Sequence, residues 1–259
     1  MKQMANSKKE RGTTAICGFD ADAIKVRGRD LVDELIGRMS FTQYLYLQAT
    51  GRAPDETQAA IVDAVLVTIM EHGLVPSAIV TRLTHYGAPE SFQGAVAAGL
   101  LGVGDRYAGT ASECGAILER LVATPANDRL DAALEEVRAY REIRRPVPGF
   151  GHPIHAEHDP RVPRLLEVAK ESGASGSFID AMGLLEKALH EVTGKQLVTN
   201  ISAAIAAVLG EAGIPSSLMR GIVLTARCAG LVGHLHEEMR NPAAPALWEA
   251  AQTGVDYKP

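Results

Sequence analysis

The sequence predicts an all-α protein, and three features of its 259 residues support that fold class. Alanine and leucine are abundant whereas aromatic residues make up only 5%, a mixture that favours closely packed helices over sheets. No segment shows the sustained alternation of apolar and polar residues that marks a half-buried strand. Apolar residues instead recur three and four positions apart, which is the spacing that buries one face of a helix.

Helix ends can be predicted from the residues that cap or break helices. Pro54 and Asp55 mark the start of one helix and Gly73 its end, while Pro215 opens the last long helix and Pro242 closes it. The termini alone resemble disordered segments. The predicted helices span residues 55–72, 91–101, 113–122, 130–143, 164–171, 178–192, 201–212 and 216–240.

Charge and cysteine usage exclude several classes of protein. The net charge of −5 lacks the basic excess that nucleic-acid binding requires. Cys17, Cys114 and Cys228 are scattered and odd in number, which argues against a disulfide framework and fits a reducing compartment. The polar N-terminal residues have no apolar core of a signal peptide, and no apolar stretch reads as a membrane span. We therefore expect a cytoplasmic protein that binds neither nucleic acid nor membrane.

One long loop, residues 144–161, stands out against the helices. Together with the next two residues it reads RRPVPGFGHPIHAEHDPRVP, with five prolines and two glycines, which excludes a regular helix. Irregular segments of this length inside compact domains are usually functional. Gly149 and Gly151 permit close approach of the backbone to a ligand, and their N–H groups can bind an anion. The alternative is a proline-stiffened connector with surface histidines.

A metal site is a further interpretation of the same loop, since His152, His155 and His158 have a regular spacing. Prolines in the loop prevent the helix that would bring these imidazoles together, and we expect no metal. The HLHEE segment, residues 234–238, invites the same idea, but there we expect a solvated helix end.

Two isolated charged residues have different interpretations. His72 lies next to Gly73 at a helix end, where a cation favours the helix C-terminus, so capping is the simplest role. Arg227 lies inside the apolar run GIVLTARCAGLVG, and its burial would require an anionic partner. It therefore indicates a pocket that binds carboxylates.

Taken together, segments from about Arg27 onward resemble the citrate synthase superfamily. The strongest match, VPGFGHPIHAEHDPR at 147–161, resembles the family pattern V-P-G-F/Y-G-H followed by D-P-R. Glu71-His72-Gly73 through Ser77 resembles a second family segment. Residues 227–234, with Arg, Gly and His at the first, fourth and last positions, resemble a third.

Two features resemble the citryl-CoA lyases and the C-terminal module of ATP-citrate lyase more than the synthases. The chain is short, and GLLGVGDRYAGTA at 99–111 resembles the G-D-R-F/Y-G-G segment of those lyases. Synthases have a catalytic histidine where this sequence has Tyr107. The resemblance implies a large helical domain, residues 1–108 plus 214–259, a small inserted domain, residues 109–213, and a homodimer or dimer of dimers.

The resemblance also implies roles for individual residues. His152 is the expected base for the hydroxyl proton of the substrate, and Tyr107 and Ser202 are the other candidate catalytic residues. The expected ligands are a citrate-like di- or tricarboxylate and a coenzyme A thioester, the latter as substrate or product, with no tightly bound cofactor and no metal. The expected carboxylate-binding residues are His72, His152, Arg161, Arg227 and Arg240, and the expected CoA-binding residues are Val147, Gly149, Phe150 and Gly151.

One departure from the family pattern bears on the chemistry. The family has Asn-Val-Asp with a catalytic aspartate, and this sequence has Asn200-Ile201-Ser202. Serine cannot exchange a proton with carbon as a carboxylate does. The leading interpretation is a citryl-CoA lyase-like enzyme that releases acetyl-CoA and oxaloacetate. The alternatives are a citrate or 2-methylcitrate synthase-type condensation, and a catalytically weak member that binds acyl-CoA or tricarboxylate.

Overall fold

The computed structural model describes residues 12–105, 110–151 and 159–258, and it confirms the all-α prediction. The described residues form eleven α-helices and three short strands. The chain divides into two compact units, one up to Asp55 and one from Glu56 onward. This division differs from the predicted one, in which residues 109–213 form a small inserted domain. That domain assignment stays a prediction.

The first unit contains the strands, which the sequence analysis did not predict. Strands β1 (Cys17–Phe19), β2 (Ile24–Val26) and β3 (Arg29–Asp30) form an antiparallel sheet in that order. A π-helical turn, Leu31–Leu35, and helix α1, Phe41–Thr50, follow. Each strand has at most three residues, too few for a periodic pattern to reveal it. The small core of this unit consists of Val26, Leu35 and Leu47.

The second unit consists of helices, and the structure confirms all eight predicted ones with ends shifted by at most three residues. Two helices were missed, α3 and α11. The second of these corrects the prediction of a disordered C-terminus. The bounds are α2 Glu56–Met70, α3 Pro76–Gly87, α4 Phe92–Leu101, α5 Thr110–Ala123, α6 Arg129–Glu142, α7 Arg161–Glu171, α8 Ser177–Thr193, α9 Ile201–Glu211, α10 Ser216–Glu238 and α11 Ala244–Gly254.

Helices α9 and α10 form the centre of this unit. Every residue of α9 from Ala203 to Gly210 is buried, while α10 packs against α2, α3, α4 and α5. Small residues permit the closest contacts. A Cβ atom on Gly99 of α4 would lie 2.9 Å from the carbonyl oxygen of Ser77 in α3. The close approach of α3 and α4 therefore depends on the lack of a side chain at Gly99.

At the start of three helices, α8, α10 and α11, the N-cap residue makes no side-chain hydrogen bond. A glutamate that belongs to a different helix caps each of them instead. Glu211 accepts hydrogen bonds from backbone N–H groups at the start of α8, including Phe178 N at 2.6 Å. Glu119 accepts from Ser216 N at 2.7 Å, at the start of α10. Glu238 accepts from Ala244 N at 2.8 Å, at the start of α11. Each carboxylate satisfies backbone donors that have no partner within their own helix.

Helix α10 corrects one expectation about membranes. Its 23 residues are long and apolar enough to span a bilayer by length and composition. The helix nevertheless packs against five other helices and carries a buried, ion-paired Arg227, as core helices of globular proteins do. No other helix among the described residues is both long and apolar enough to cross a membrane.

Candidate functional site

A cavity of about 700 Å³ lies in the second unit, where several helix ends meet. Its wall is formed by the turn between α2 and α3, the segment before α5, the loop at residues 145–151, the N-termini of α7 and α9, and the middle of α10. The volume lies within the range of ordinary small-molecule sites.

The cavity brings together most of the residues singled out from the sequence. Arg240 does not line it and is exposed just beyond α10. His152 and Tyr107 lie outside the described residues, so their placement stays a prediction. The predicted site residues that line the cavity are His72, Val147, Gly149, Phe150, Gly151, Arg161, Ser202 and Arg227.

Arg161 is held by a buried carboxylate. Nε and Nη2 of Arg161 donate to Oδ1 and Oδ2 of Asp159 at 2.9 and 2.8 Å, a bidentate pair. Asp159 also accepts from the backbone N of Ile201 at 3.2 Å, which ties the pair to the start of α9. Nη1 of Arg161 is buried and has no hydrogen-bond partner among the described residues. This atom is therefore a fixed cationic donor available to an anion.

Arg227 is the more buried of the two arginines. Its side chain is 8% exposed, and its ion pair with Glu71 is long, with 3.5 Å between Nη1 and Oε1. Burial lowers the pKa of Arg227; the nearby Glu71 opposes this effect and Arg161 adds to it. Two guanidinium groups that line one cavity and repel each other are stabilised when a polycarboxylate binds to both.

The glycine-rich loop is fixed to the segment that precedes α9. Asn200 donates from its backbone N to the Gly149 carbonyl at 3.0 Å and from Nδ2 to the Gly151 carbonyl at 2.8 Å. Gly149 has a φ of 91°, and a Cβ there would lie 2.7 Å from the Cβ of Ala203. The buried thiol of Cys114 lies under the same glycine, and burial raises its pKa to about 12. Cys114 is thus a packing residue, and glycine is required at position 149.

Ser202 lies on the first turn of α9, which is capped by Asn200. The Asn200 Oδ1 accepts from the backbone N of Ser202 at 2.9 Å. Thr110 Oγ1, at the start of α5, donates to Ser202 Oγ at 2.9 Å. Ser202, which the sequence motif aligns with the family aspartate, therefore contributes to a pair of hydroxyls on the cavity wall.

Several lining residues lie outside the set of site residues predicted from the sequence. Glu113 and Arg145 form an ion pair, with 3.1 Å between Oε1 and Nη2, and Thr110 lies one turn before Glu113 on α5. Asp105 lines the cavity and pairs with Arg220 at 2.6 Å. Asp105 and Thr110 belong to the segment 99–111 and Arg145 to the loop 144–161, but their partners Arg220, Ser202 and Glu113 come from other segments and could not be read from these motifs.

The segment HLHEE was wrongly expected to be a solvated helix end. His234 has a side chain that is only 10% exposed, and Glu238 is buried, whereas His236 and Glu237 are exposed. His234 and Glu238 share one face of α10, which packs against α3. Within residues 12–105, 110–151 and 159–258, no three His, Cys, Asp or Glu side chains form a possible metal site. The absence of a metal stays a prediction, because the histidine loop is only partly included.

Residues 23–247 match the family model described as "Citrate synthase, C-terminal domain". The chain belongs to the citrate synthase family. Curated relatives include the citrate synthase of Synechocystis sp., 26% identical over 208 residues that make up 76% of this chain and 49% of the relative. The chain spans about half the length of the curated relatives it matches.

Solved structures of this family share the fold. Citryl-CoA lyase from Hydrogenobacter thermophilus superposes with a TM-score of 0.84 at 29% identity, covering 96% of this chain and 95% of that one. ATP citrate lyase from Methanosaeta concilii, solved with (3S)-citryl-CoA, superposes with a TM-score of 0.79 at 19% identity. The match covers 97% of this chain and 42% of that one. Citrate synthase from Thermotoga maritima superposes with a TM-score of 0.63 at 19% identity, and the match covers 80% of this chain and 55% of that one. The superfamily predicted from the sequence motifs is thereby confirmed.

Proposed function

We propose that this chain is a citryl-CoA lyase-like enzyme that cleaves citryl-CoA, or a close analogue, to acetyl-CoA and oxaloacetate. The observation that carries the proposal is the pair of arginines that line one cavity, Arg161 with a free buried donor and Arg227 with a long ion pair. The likeness to a citryl-CoA lyase over nearly the full length of both chains supports the same activity.

The arginines suit the carboxylates of a citryl group. A guanidinium pairs with a carboxylate through two parallel hydrogen bonds, and it keeps its charge when partly buried. Arg161 is already oriented by Asp159, so little side-chain entropy is lost when a ligand binds. His72 lines the same cavity and supplies a further polar contact in this proposal.

The loop from Val147 to Gly151 is the proposed binding site of the coenzyme A thioester. Val147, Gly149 and Gly151 line the cavity, and the two glycines have no side chain that would keep a ligand from the backbone. Phe150 forms a β-bridge with Thr199, which holds the loop in a fixed shape. A rigid backbone with few side chains suits the narrow pantetheine arm and its amide groups.

Cleavage is a retro-Claisen reaction in which the bond between the hydroxyl-bearing carbon and the thioester α-carbon breaks. A base removes the tertiary hydroxyl proton, the carbinol carbon becomes the ketone of oxaloacetate, and the bonding electrons form the enolate of acetyl-CoA. That enolate then takes a proton at carbon. We assign the base to His152 and the stabilising hydrogen bond to Tyr107, both from the family resemblance.

The proposed assembly is a homodimer or a dimer of dimers in the cytoplasm, with no tightly bound cofactor. Apolar side chains on α3 and α4 are exposed in the single chain, among them Val80, Leu83 and Leu101, the last 86% exposed. The outer face of α10 carries small exposed residues such as Gly221 and Ala229, which permit close helix packing. In this proposal the exposed Arg240, just beyond α10, contributes to the site of a second copy, as the family resemblance implies.

The direct test is to incubate purified protein with citryl-CoA and to measure acetyl-CoA by chromatography and oxaloacetate by coupled reduction. We expect both products in equal amounts, with the rate reduced at least tenfold in Arg161→Met and Arg227→Met. Oxaloacetate without acetyl-CoA, or equal rates in the wild type and both variants, would exclude the assignment.

A second candidate function is binding without turnover. The observation that favours it is Ser202 at the position of the family aspartate. This candidate predicts that citrate and CoA bind with ordinary affinity in calorimetry while citryl-CoA remains intact. The condensation direction, to citrate or 2-methylcitrate, is tested in the same samples by supplying oxaloacetate with acetyl-CoA or propionyl-CoA.

A further inference from the structure

A chain of polar and charged side chains runs from the cavity into the interior between α3 and α10. Glu71 contacts Arg227 on one side and His234 on the other, with 2.9 Å between Glu71 Oε1 and His234 Nε2. Arg82 lies behind His234, and Nη1 of Arg82 donates to Glu238 Oε2 at 2.7 Å. The side chains of Arg82, His234 and Glu238 are each at most 10% exposed.

The hydrogen bonds determine the protonation state of His234. Nε of Arg82 donates to Nδ1 of His234 at 3.0 Å, and Nη2 lies 2.8 Å from the same nitrogen. A guanidinium has donors but no acceptors, so Nδ1 must carry a lone pair. The imidazole is therefore neutral with its proton on Nε2, and that proton points to the Glu71 carboxylate.

Glu71 in turn fixes two parts of the cavity wall. Its Oε2 accepts from the backbone N of Gly73 at 3.0 Å, which sets the turn that carries His72. Its Oε1 contacts the Arg227 guanidinium. A Cβ on Gly230 would lie 3.1 Å from Glu71 Oε1, so the glycine allows this close approach.

We propose that His234 is a positioning residue for the carboxylate site: by donating from Nε2 it holds Glu71 against Arg227 and against the His72 turn. The inference rests on the proposed function only for the identity of the ligand. Arg82 fixes the required tautomer, and Glu238 together with the exposed Glu237 neutralises Arg82. His234 does not line the cavity, and it acts through Glu71.

Two substitutions separate the donor from the rest of the imidazole. In His234→Gln the amide nitrogen can take the place of Nε2 and donate to Glu71. In His234→Asn the amide oxygen can take the place of Nδ1 and accept from Arg82, but the shorter side chain has no donor that reaches Glu71. We expect citrate affinity, measured by calorimetry, to fall about tenfold in His234→Asn and less than about twofold in His234→Gln, as for loss of one hydrogen bond to a charged group. His236→Asn, on the exposed side of the same helix, is the matched control and should bind like the wild type.

A second measurement, made without any ligand, tests the positioning role of His234 independently of the proposed function. In protein labelled with ¹⁵N-arginine, the Arg227 Nε–H signal, assigned from Arg227→Lys, should move in His234→Asn and stay in place in His234→Gln. The His234 ring nitrogens should report a neutral imidazole protonated at Nε2. Wild-type protein that binds neither citrate nor citryl-CoA would refute the proposed function, while the arginine spectra would still decide the positioning role. Equal affinity losses in both variants, an unmoved Arg227 signal, or a proton on Nδ1 would overturn the inference.

Discussion

Thr110 Oγ1 donates a hydrogen bond of 2.9 Å to Ser202 Oγ, and the sequence motif aligns Ser202 with the catalytic aspartate of the family. This geometry leads to the first prediction, that Ser202→Asp raises citryl-CoA cleavage at least several-fold. A carboxylate there would accept from Thr110, would be favoured by the N-terminus of α9, and could exchange a proton with the acetyl carbon. The measurement is the steady-state rate together with citrate affinity, which should change little because the arginines are untouched.

Ser202→Asn is the control for size and polarity. The amide can take part in hydrogen bonds but cannot carry the proton, so it should give no gain in rate. A fall in rate in Ser202→Asp, with folding intact, would mean that the protein uses a different acid. Asp105 and Glu113, which line the same cavity, would then be the carboxylates to replace next.

Replacing the tyrosine of the GDRYAG segment tests its predicted role. We expect Tyr107→Phe to lower kcat for cleavage by about 10²-fold while leaving citrate affinity unchanged, because a donor to the developing enolate acts mainly in the transition state. The measurement is the division of the loss between kcat and KM. An unchanged rate would remove Tyr107 from the mechanism.

Asp159 should be essential because it orients Arg161 from a fully buried position. We expect Asp159→Asn to lower the free energy of unfolding by roughly 3–5 kcal/mol, since removing one partner of a buried ion pair leaves the other uncompensated. Citrate affinity should fall in parallel, because Arg161 loses its fixed orientation. Denaturant unfolding and calorimetry measure the two effects.

Glu167→Gln is the control for this loss of charge. Glu167 lies on the same helix as Arg161 and pairs with Arg164 at 2.6 Å, with both side chains more than half exposed. Exposed pairs of this kind contribute at most about 1 kcal/mol. If Asp159→Asn cost no more than Glu167→Gln, the buried pair would not be what holds Arg161.

The fold was largely predictable because most helices have a clear apolar face and a proline or glycine at their ends. Helix α3 was missed for a physical reason. Ile79, Val80 and Thr81 are β-branched residues with low helix propensity, and packing against α4 and α10 stabilises the helix instead. The three strands were not predicted because a strand of two or three residues is too short to show an alternation of apolar and polar residues.

The candidate site was predictable where the type of a residue alone indicates its role. An arginine inside an apolar run, such as Arg227, requires an anion wherever it is buried. The partners were not predictable, because they come from distant parts of the chain. Glu71 and His234 are 163 positions apart, and His234 looked like one charged residue among several at a helix end. Sequence periodicity places a residue on a face but does not say what covers that face.

Gly149 should tolerate no side chain, whereas Gly151 provides a control for backbone strain alone. Both glycines have positive φ values, 91° and 82°, but a Cβ on Gly149 would overlap Ala203 and one on Gly151 would meet nothing within 4 Å. We expect Gly149→Ala to abolish CoA binding in calorimetry, since the loop must shift. Gly151→Ala should cost about 1 kcal/mol of stability and keep most of the CoA affinity. Equal loss of binding in both would show that strain, and not the contact with α9, controls the loop.

The buried carboxylate of Glu238 should make stability depend on pH. Burial alone would raise the pKa of Glu238, but hydrogen bonds from Ala244 N, Arg82 and Ala243 N more than offset this and lower it. A carboxyl group whose pKa is lower in the folded state stabilises the protein above its unfolded pKa, about 4.3 for Glu. That contribution is lost as the pH falls from there through the folded-state pKa. The free energy of unfolding should therefore decline on acidification below about pH 4.3.

Glu238→Gln separates this residue from the other carboxylates. At neutral pH the variant should be less stable by roughly 3–5 kcal/mol, because Arg82 is left buried with only the exposed Glu237. Below pH about 4.3 the gap to the wild type should narrow, because the wild-type carboxylate becomes protonated as well. Glu237→Gln, with a side chain that is 60% exposed, should cost less than about 1 kcal/mol and keep the wild-type pH dependence. Urea unfolding of the three proteins at several pH values measures this, and a gap that stays constant with pH would contradict the lowered pKa of Glu238.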